Sequence, residues 1–447
     1  MVNVIKKVPV PEVPLDRLLL PFTRFRQIQA GSGILLLACV AAALVWVNSP
    51  WGHTYAELWE TELSFGFGKY ALAKSLLHWI NDGLMAVFFF VVGLEIKREM
   101  LAGELASPRR AAFPVIAALG GMLVPALLYI ALNGSSGAAH GWGIPMATDI
   151  AFALGVLSLV RSPATAMLTL FLTALAIADD LGAVVVVAAF YTSDISWVSL
   201  AVGGGFLAVM VVANRSGVRH PVAYALLGIG LWVAFLESGI HPTIAGVLAA
   251  MTIPASRRID TKEFLKRAEG HLKKFERAEG HKAAAKQVEA IQALQSTTQE
   301  ATSPLHRLED QMHPWVAYAI MPVFALANAG VVLTGNFGDT ITNSAAVGVI
   351  VGLVVGKPLG IVVFSWLAVR LGLARMPSGT TWWGVIGIGC IGGIGFTMSL
   401  FITGLAFDDA ALTQAAKVGI LVASVASATI GLVVLRMVGR SAARKVS

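Results

Sequence analysis

The sequence predicts an all-α polytopic membrane protein of about twelve transmembrane helices, and three observations carry that prediction. Of 447 residues, 56% are hydrophobic and only 13% charged, about half the charged share of a soluble domain. With a mean hydropathy of +0.75, the chain has too few polar side chains to cover a water-facing surface of its size. Its 45 glycines suit membrane helices, which use glycine for close packing and for breaks.

A membrane-crossing helix needs about 20 apolar residues, and fewer where it is broken or enclosed by protein. Twelve segments meet that requirement, at roughly 33–50, 79–100, 112–132, 144–160, 164–191, 197–214, 220–235, 239–254, 314–333, 344–367, 381–405 and 412–436. Residues 33–48 could also form the apolar part of a signal peptide. No small-residue cleavage site follows, only Asn48-Ser49-Pro50-Trp51, so a first membrane helix is the better reading.

An even number of spans puts both termini on one side. Counting basic residues in alternate connections places 29 of the 33 Lys and Arg on that side, against Lys69 and Lys74 on the other. The long 255–312 loop counts weakly, yet without it the division is still 18 to 2. The positive-inside rule therefore makes both termini cytoplasmic.

The predicted organisation follows: a cytoplasmic tail (1–32), a transmembrane unit (33–436) and a C-terminal cytoplasmic tail (437–447). Within the unit, spans 3–5 and 10–12 (about 112–191 and 344–436) form the core, and spans 1–2 and 6–9 an interface bundle. Residues 51–77, outside, contain Ser64-Phe65-Gly66-Phe67-Gly68, compatible with a short hairpin. The loop 255–312 holds 11 basic and 9 acidic residues, and Arg267-Ala268-Glu269-Gly270-His271 recurs there as Arg277-Ala278-Glu279-Gly280-His281. A solvated helical hairpin or linker is favoured there over a regulatory module. Cys39 and Cys390 lie in apolar runs without metal-ligand spacing, so neither a disulfide nor a thiolate site is expected.

Ionisable residues at bilayer depth cost roughly 2.5–3.5 kcal/mol each on the insertion scale, so they mark function. Asp179 and Asp180 stand near the middle of the fifth span. Adjacent helical residues point about 100° apart, so one partner cannot neutralise both. A purely structural pair of salt bridges would need two buried cations, and Lys357 is the one clear candidate at mid-depth. Asp149 is the third buried acid. It follows Thr148 in a short span with Gly143 and Pro145 near its start. There it either compensates the positive end of a half-helix or joins Thr148 in offering oxygens to an ion.

Span eleven carries four glycines in Gly389-Cys390-Ile391-Gly392-Gly393-Ile394-Gly395. That run fits unwound backbone at Gly392, Gly393 and Gly395 lining a cavity, with tight helix packing as the alternative. Spans four and eleven occupy matching places in two three-span units of opposite predicted topology. Paired broken helices in inverted repeats point to a transport site at the midplane. Lys357, flanked by long apolar stretches in span ten, faces either half-helix C-terminal ends or a carboxylate; snorkelling is the alternative.

Buried carboxylates bind hard monovalent cations and protons alike. One site can then exchange the two by competition, provided it opens alternately to each side. No GxxxxGK[ST] loop occurs, which argues against an ATP-driven pump. A cation channel and an exchanger for K+ or an organic cation are the competing readings.

The residues resemble the NhaA family of bacterial Na+/H+ antiporters over nearly the whole chain. The motifs are Asn81-Asp82-Gly83-Leu84-Met85-Ala86-Val87-Phe88-Phe89-Phe90, Val92-Gly93-Leu94-Glu95-Ile96-Lys97-Arg98-Glu99, Ala147-Thr148-Asp149-Ile150-Ala151-Phe152-Ala153-Leu154-Gly155, Ala178-Asp179-Asp180-Leu181-Gly182-Ala183 and Gly395-Phe396-Thr397-Met398-Ser399. The resemblance implies an inner-membrane protein, often dimeric through residues 51–77, that exports Na+ or Li+ and imports protons electrogenically. No cofactor and no nucleic-acid partner is implied. It assigns Asp180 as main ligand, Asp179 as its partner in ion and proton handling, and Lys357 as a coupling or charge-balancing group. Asp149 and Thr148 would belong to the crossed broken helices. Activation at alkaline pH would involve Glu95, Arg98, Glu99, Glu309 and His313 near the cytoplasmic entrance, with His241 also linked to pH response. From chemistry alone these charges equally fit membrane-edge residues. Asp310 stands where a histidine is expected, and the 255–312 loop is longer than expected; both bear on the pH profile.

Overall fold

The computed structural model describes residues 31–65, 72–160, 165–192, 195–278, 283–333, 337–377 and 379–446. The predicted N-terminal tail therefore lies almost wholly outside the described residues.

Helix α1 (Gly31–Val47) turns through 113° into α2 (Gly52–Glu60). Asn48 fixes the corner, its Nδ2 donating to the carbonyls of Leu44 and Val331 at 2.8 and 2.7 Å. Strands β1 (Glu62–Phe65) and β2 (Leu72–Ser75) pair antiparallel, Glu62 opposite Ser75 and Phe65 opposite Leu72. The predicted hairpin is thus present, while the Gly66–Gly68 part of its turn lies outside the described residues.

The bundle continues with α3 (Leu76–Ala102) and α4 (Pro108–Asn133). The 3₁₀ helix α5 (Ala139–Met146) and α6 (Ile150–Ser158) form one broken span, and α7 (Thr165–Phe190) carries the paired aspartates. After α8 (Trp197–Arg215) come two shorter apolar helices, α9 (Pro221–Leu236) and α10 (Thr243–Thr252). The charged loop is a helical hairpin, α11 (Thr261–Glu276) and α12 (Ala283–Ala301). Its two predicted repeat copies differ in structure. Arg267–His271 is helical, whereas Arg277 ends α11, and residues 279–282 lie outside the described residues.

Helices α13 (Pro304–Trp315) and α14 (Met321–Asn328) are joined by a π-helical turn, and α15 (Phe337–Thr342) leads into α16 (Ser344–Arg370). Then come α17 (Trp382–Gly392) and α18 (Phe396–Ala406), bent by 46° at their break, and α19 (Ala410–Val446). The 37 residues of α19 reach about 55 Å at 1.5 Å per residue, far beyond a bilayer core. The predicted tail from 437 therefore continues the last helix, since no proline interrupts it.

All twelve predicted spans coincide with helical structure. Among the described residues, seven helices are long and apolar enough to cross a membrane, and nine if each bent pair counts as one. The shortfall has local causes: α9 and α10 are short, and Pro314 and Pro322 interrupt the ninth span. π-helical turns also occur at Trp79–Leu84 and at Gly352–Gly356, the latter just before Lys357-Pro358. Pro358 lacks the N–H that a regular helix needs at that point.

Two helix pairs organise the packing. Against α4 lies α16, where a Cβ on Gly120 or Gly360 would run into the other's carbonyl oxygen. Against α3 lies α10, where a Cβ on Gly93 would come within 2.7 Å of Ala250. Such contact replaces the hydrophobic drive that is missing between helices in lipid. The units α4–α7 and α16–α19 share one order, an unbroken helix, a broken one and another unbroken one.

Candidate functional site

The two breaks cross, and each supplies what the other lacks. Ala147 is extended (φ −81°, ψ 146°), as is Asp149 (φ −84°, ψ 97°). Extended backbone leaves N–H groups without a partner in their own helix, and the partner break accepts from one of them and from a neighbouring hydroxyl. Asp149 N–H donates to the Ile394 carbonyl at 2.7 Å, and Thr148 Oγ1 donates to the Gly392 carbonyl at 2.9 Å.

The Asp149 carboxylate serves both downstream half-helices. One oxygen accepts from Phe152 N–H at 2.9 Å, capping α6. The other accepts from Thr397 N–H at 3.1 Å and from Thr397 Oγ1, capping α18. A carboxylate at two helix N-termini satisfies orphan donors and opposes two positive dipole ends. Ser399 Oγ donates to the Ile144 carbonyl at 2.8 Å, and Phe396 N–H donates to Ser424 Oγ at 3.3 Å.

Lys357 closes the opposite charge balance. Its ammonium is fully buried and donates to the Met146 carbonyl, at the negative end of α5, and to Asp179 Oδ2 at 2.6 Å. Both sequence readings, a half-helix end and a carboxylate partner, are thus realised together. Asp179 Oδ1 has no hydrogen-bond partner among the described residues.

Asp180, also buried, makes neither a hydrogen bond nor an ion pair through its carboxylate among the described residues, and it lies within electrostatic range of Asp179 and of Glu95 on α3. The geometry is that of two buried carboxylates, one anchored by a lysine and one uncommitted. Uncommitted carboxylate oxygens can take either a hard cation or a proton.

The remaining candidates fall into two groups at opposite ends of α3. At its C-terminal end, Arg98 pairs with Glu309 of α13 and with Glu99 at 3.1 Å, while Glu99 accepts from Glu104 N–H at 3.0 Å. Glu95 neighbours this group, and His313 is exposed one turn beyond Glu309. Burial pushes the Glu309 carboxyl above the ordinary range, against the pull of Arg98. His241 is not part of this group. Its Nδ1 lies 2.8 Å from Thr243 Oγ1 and its Nε2 3.7 Å from Asp82 near the start of α3.

Three groups in the crossing were not singled out from sequence. Thr397 and Ser399 had a signal, being hydroxyls directly after a glycine break. Ser424 had none, because one serine in an apolar run reads as ordinary packing.

Comparison with known proteins adds independent ground. The sequence profile of the Na+/H+ antiporter 1 family matches residues 23–435. The chain is 51% identical over 431 residues to the Na(+)/H(+) antiporter NhaA of Oleidesulfovibrio alaskensis, covering 96% of each. It is 50% identical over 423 residues to that of Koribacter versatilis, covering 95% of this chain and 92% of the relative. With the NhaA of Wolinella succinogenes the identity is 47% over 407 residues, 90% of each. Crossed broken helices, buried carboxylates and near-complete coverage agree, and the chain belongs to the NhaA family of Na+/H+ antiporters, which are membrane transporters and not enzymes.

Proposed function

We propose that this protein exports Na+ or Li+ in exchange for protons at Asp180, with Asp179 as the second carboxylate. One observation carries the assignment: Asp180 is buried among helices, yet among the described residues its carboxylate makes no hydrogen bond or ion pair. A buried ionised carboxylate without a partner is costly, so the site favours occupancy by a proton or a cation. Na+ arriving from the cytoplasm displaces protons, and protons arriving from outside displace Na+.

Lys357 holds Asp179 while that carboxylate is ionised and returns to the Met146 carbonyl alone when Asp179 is protonated. If the returning form carries more protons than the single Na+ that left, the cycle moves net charge and is electrogenic. Asp149 and Thr148 hold the crossing in register, and Gly392, Gly393 and Gly395 provide the backbone that makes room for it.

The setting is a bacterial inner membrane with both termini cytoplasmic, and the role is sodium and pH homeostasis. The core comprises α4–α7 and α16–α19, in opposite orientations, against an interface bundle of the other spans. Two copies join through residues 51–77, where the described residues form a two-stranded sheet whose outer edges could pair with another chain. Glu95, Arg98, Glu99, Glu309 and His313 adjust activity at alkaline pH from the cytoplasmic end, and His241 does so from the other end.

The test uses everted vesicles, acid inside, with a pH-sensitive dye. Adding Na+ or Li+ releases protons, and Asp180→Asn abolishes the release while the protein stays inserted. Potassium acting as well as Na+ would overturn the sodium assignment. Proton release persisting in Asp180→Asn would overturn the site.

A further inference from the structure

We infer that the α11–α12 hairpin lies on the anionic cytoplasmic leaflet, with Leu265, Leu272, Val288 and Ile291 dipped into the acyl boundary and the lysines of α11 on the lipid phosphates. The inference goes beyond the antiport reading and takes from it only the cytoplasmic orientation.

The hairpin is built inside out. Two helices that pair in water turn their large aliphatic side chains toward each other. Among the described residues of this hairpin, the buried side chains are small, Ala278, Ala290 and Thr297, and Phe264 and Leu294 are half-buried. One side of the seam is a polar groove lined by Glu263, Lys266, His271, Ser296, Thr297 and Glu300. Leu265, Leu272, Val288 and Ile291 are instead 45–60% exposed. At about 100° per residue, Leu265 and Leu272 form one stripe on α11, roughly half a turn from the groove residues. Val288 and Ile291 stand likewise on α12, where Ala284, Gln295 and Thr298 extend the stripe without a charge. Both helices line the one groove, so both stripes emerge on the face opposite it.

An apolar face of this kind needs a cover, and charge indicates which. Residues 255–277 hold eight basic and four acidic side chains. Lys262 and Lys273 flank the leucine stripe, where their stems can lie along apolar surface while the ammonium groups reach outward. Glu269, the acid between the leucines, is paired with Lys273 at 2.7 Å. An anionic leaflet attracts this excess of positive charge, whereas a second copy carries the same excess.

The hairpin is also held close to the bilayer. Helix α10 ends at Thr252 and α11 begins at Thr261, while α12 ends at Ala301 and α13 begins at Pro304. Leu305 N–H donates to the Pro254 carbonyl at 3.1 Å and Arg258 N–H to the Glu300 carbonyl at 3.0 Å, closing the base. Both links to the spans are short, so the leaflet is the surface within reach. A helix with lysines beside an apolar stripe settles in the plane of that interface.

The test uses the full-length protein in nanodiscs of phosphatidylcholine, with or without an equal part of phosphatidylglycerol. In a Cys39→Ala/Cys390→Ala background, bimane is attached at Leu272→Cys or, on the groove side, at Ser296→Cys. Both positions are exposed, so neither substitution disturbs the bundle. With phosphatidylglycerol present, lipid brominated on its acyl chains quenches the Leu272 probe at least about twofold and leaves the Ser296 probe unquenched. Omitting phosphatidylglycerol removes most of that quenching, as does Lys262→Gln/Lys266→Gln/Lys273→Gln. A Leu272 probe unquenched in both lipids overturns the inference, and so does equal quenching at the two positions. Blue-shifted but unquenched emission, found only in discs that hold two copies, assigns the face to a second copy and overturns it too. None of these readings involves transport. Na+-driven proton release by the same labelled protein in vesicles reports on the antiport reading separately.

Discussion

At the residue scale, the Lys357–Asp179 pair concentrates charge where neither side chain can reach water. Removing one partner of a buried pair costs about 3–5 kcal/mol, largely because the other is left uncompensated. Lys357→Ala should therefore lower the Tm of the detergent-solubilised protein strongly, and Asp179→Asn less. The double variant should recover part of the loss. Equal and additive losses would show that the two groups do not communicate. Asp149 differs from this pair in kind: its two oxygens are taken up by N–H groups and one hydroxyl. Three acids of similar burial thus have three different degrees of commitment, and Asp180 has the least.

Among elements, the Arg98–Glu309 contact joins the C-terminal end of α3 to α13. Burial raises the Glu309 carboxyl, so the folded protein holds that proton more tightly than the unfolded chain does. The sign follows from linkage: stability falls as pH rises from the ordinary carboxylate value, about 4.3, to the raised one. Glu309→Gln should flatten that part of the Tm-against-pH curve, measured by thermal melting in detergent. A parent curve that is flat or rising there would contradict the assignment. Lys97 acts at the same junction, donating to the Met251 and Ile253 carbonyls at 2.6 Å each and capping the end of α10. The α4–α16 contact has a different origin, backbone against backbone at Gly120 and Gly360.

For the whole molecule, orientation is the property most exposed to test. A cysteine replacing Lys266, on the exposed α11–α12 hairpin, should react with an impermeant maleimide in everted vesicles and not in right-side-out ones. The reverse pattern would invert the topology. The spans, their approximate limits and the burial of Asp179, Asp180 and Lys357 within them were legible because each depends on a single transfer energy: apolar residues prefer lipid, and a charge placed among them needs a reason. The glycine run in span eleven was legible as a break for a similar reason, since four glycines in seven positions cannot hold a regular helix well. The limits of the ninth span were less so, because prolines and a π-helical turn break the apolar periodicity on which such a reading relies.

The sequence by itself determined the membrane class, the basic-residue asymmetry and which ionisable side chains are anomalous at bilayer depth. These are sums over local composition, and no fold is needed to evaluate them. The tertiary structure alone decided who partners whom. Lys357 meets Asp179 across 178 residues and Met146 across 211, and Thr397 meets Asp149 across 248. Such pairings arise when two breaks cross and expose complementary backbone ends, a geometry set by the packing of α4 on α16 and α3 on α10. The same packing separated His241 from the Glu95–Glu309 group. That separation is not encoded in any local stretch of the chain.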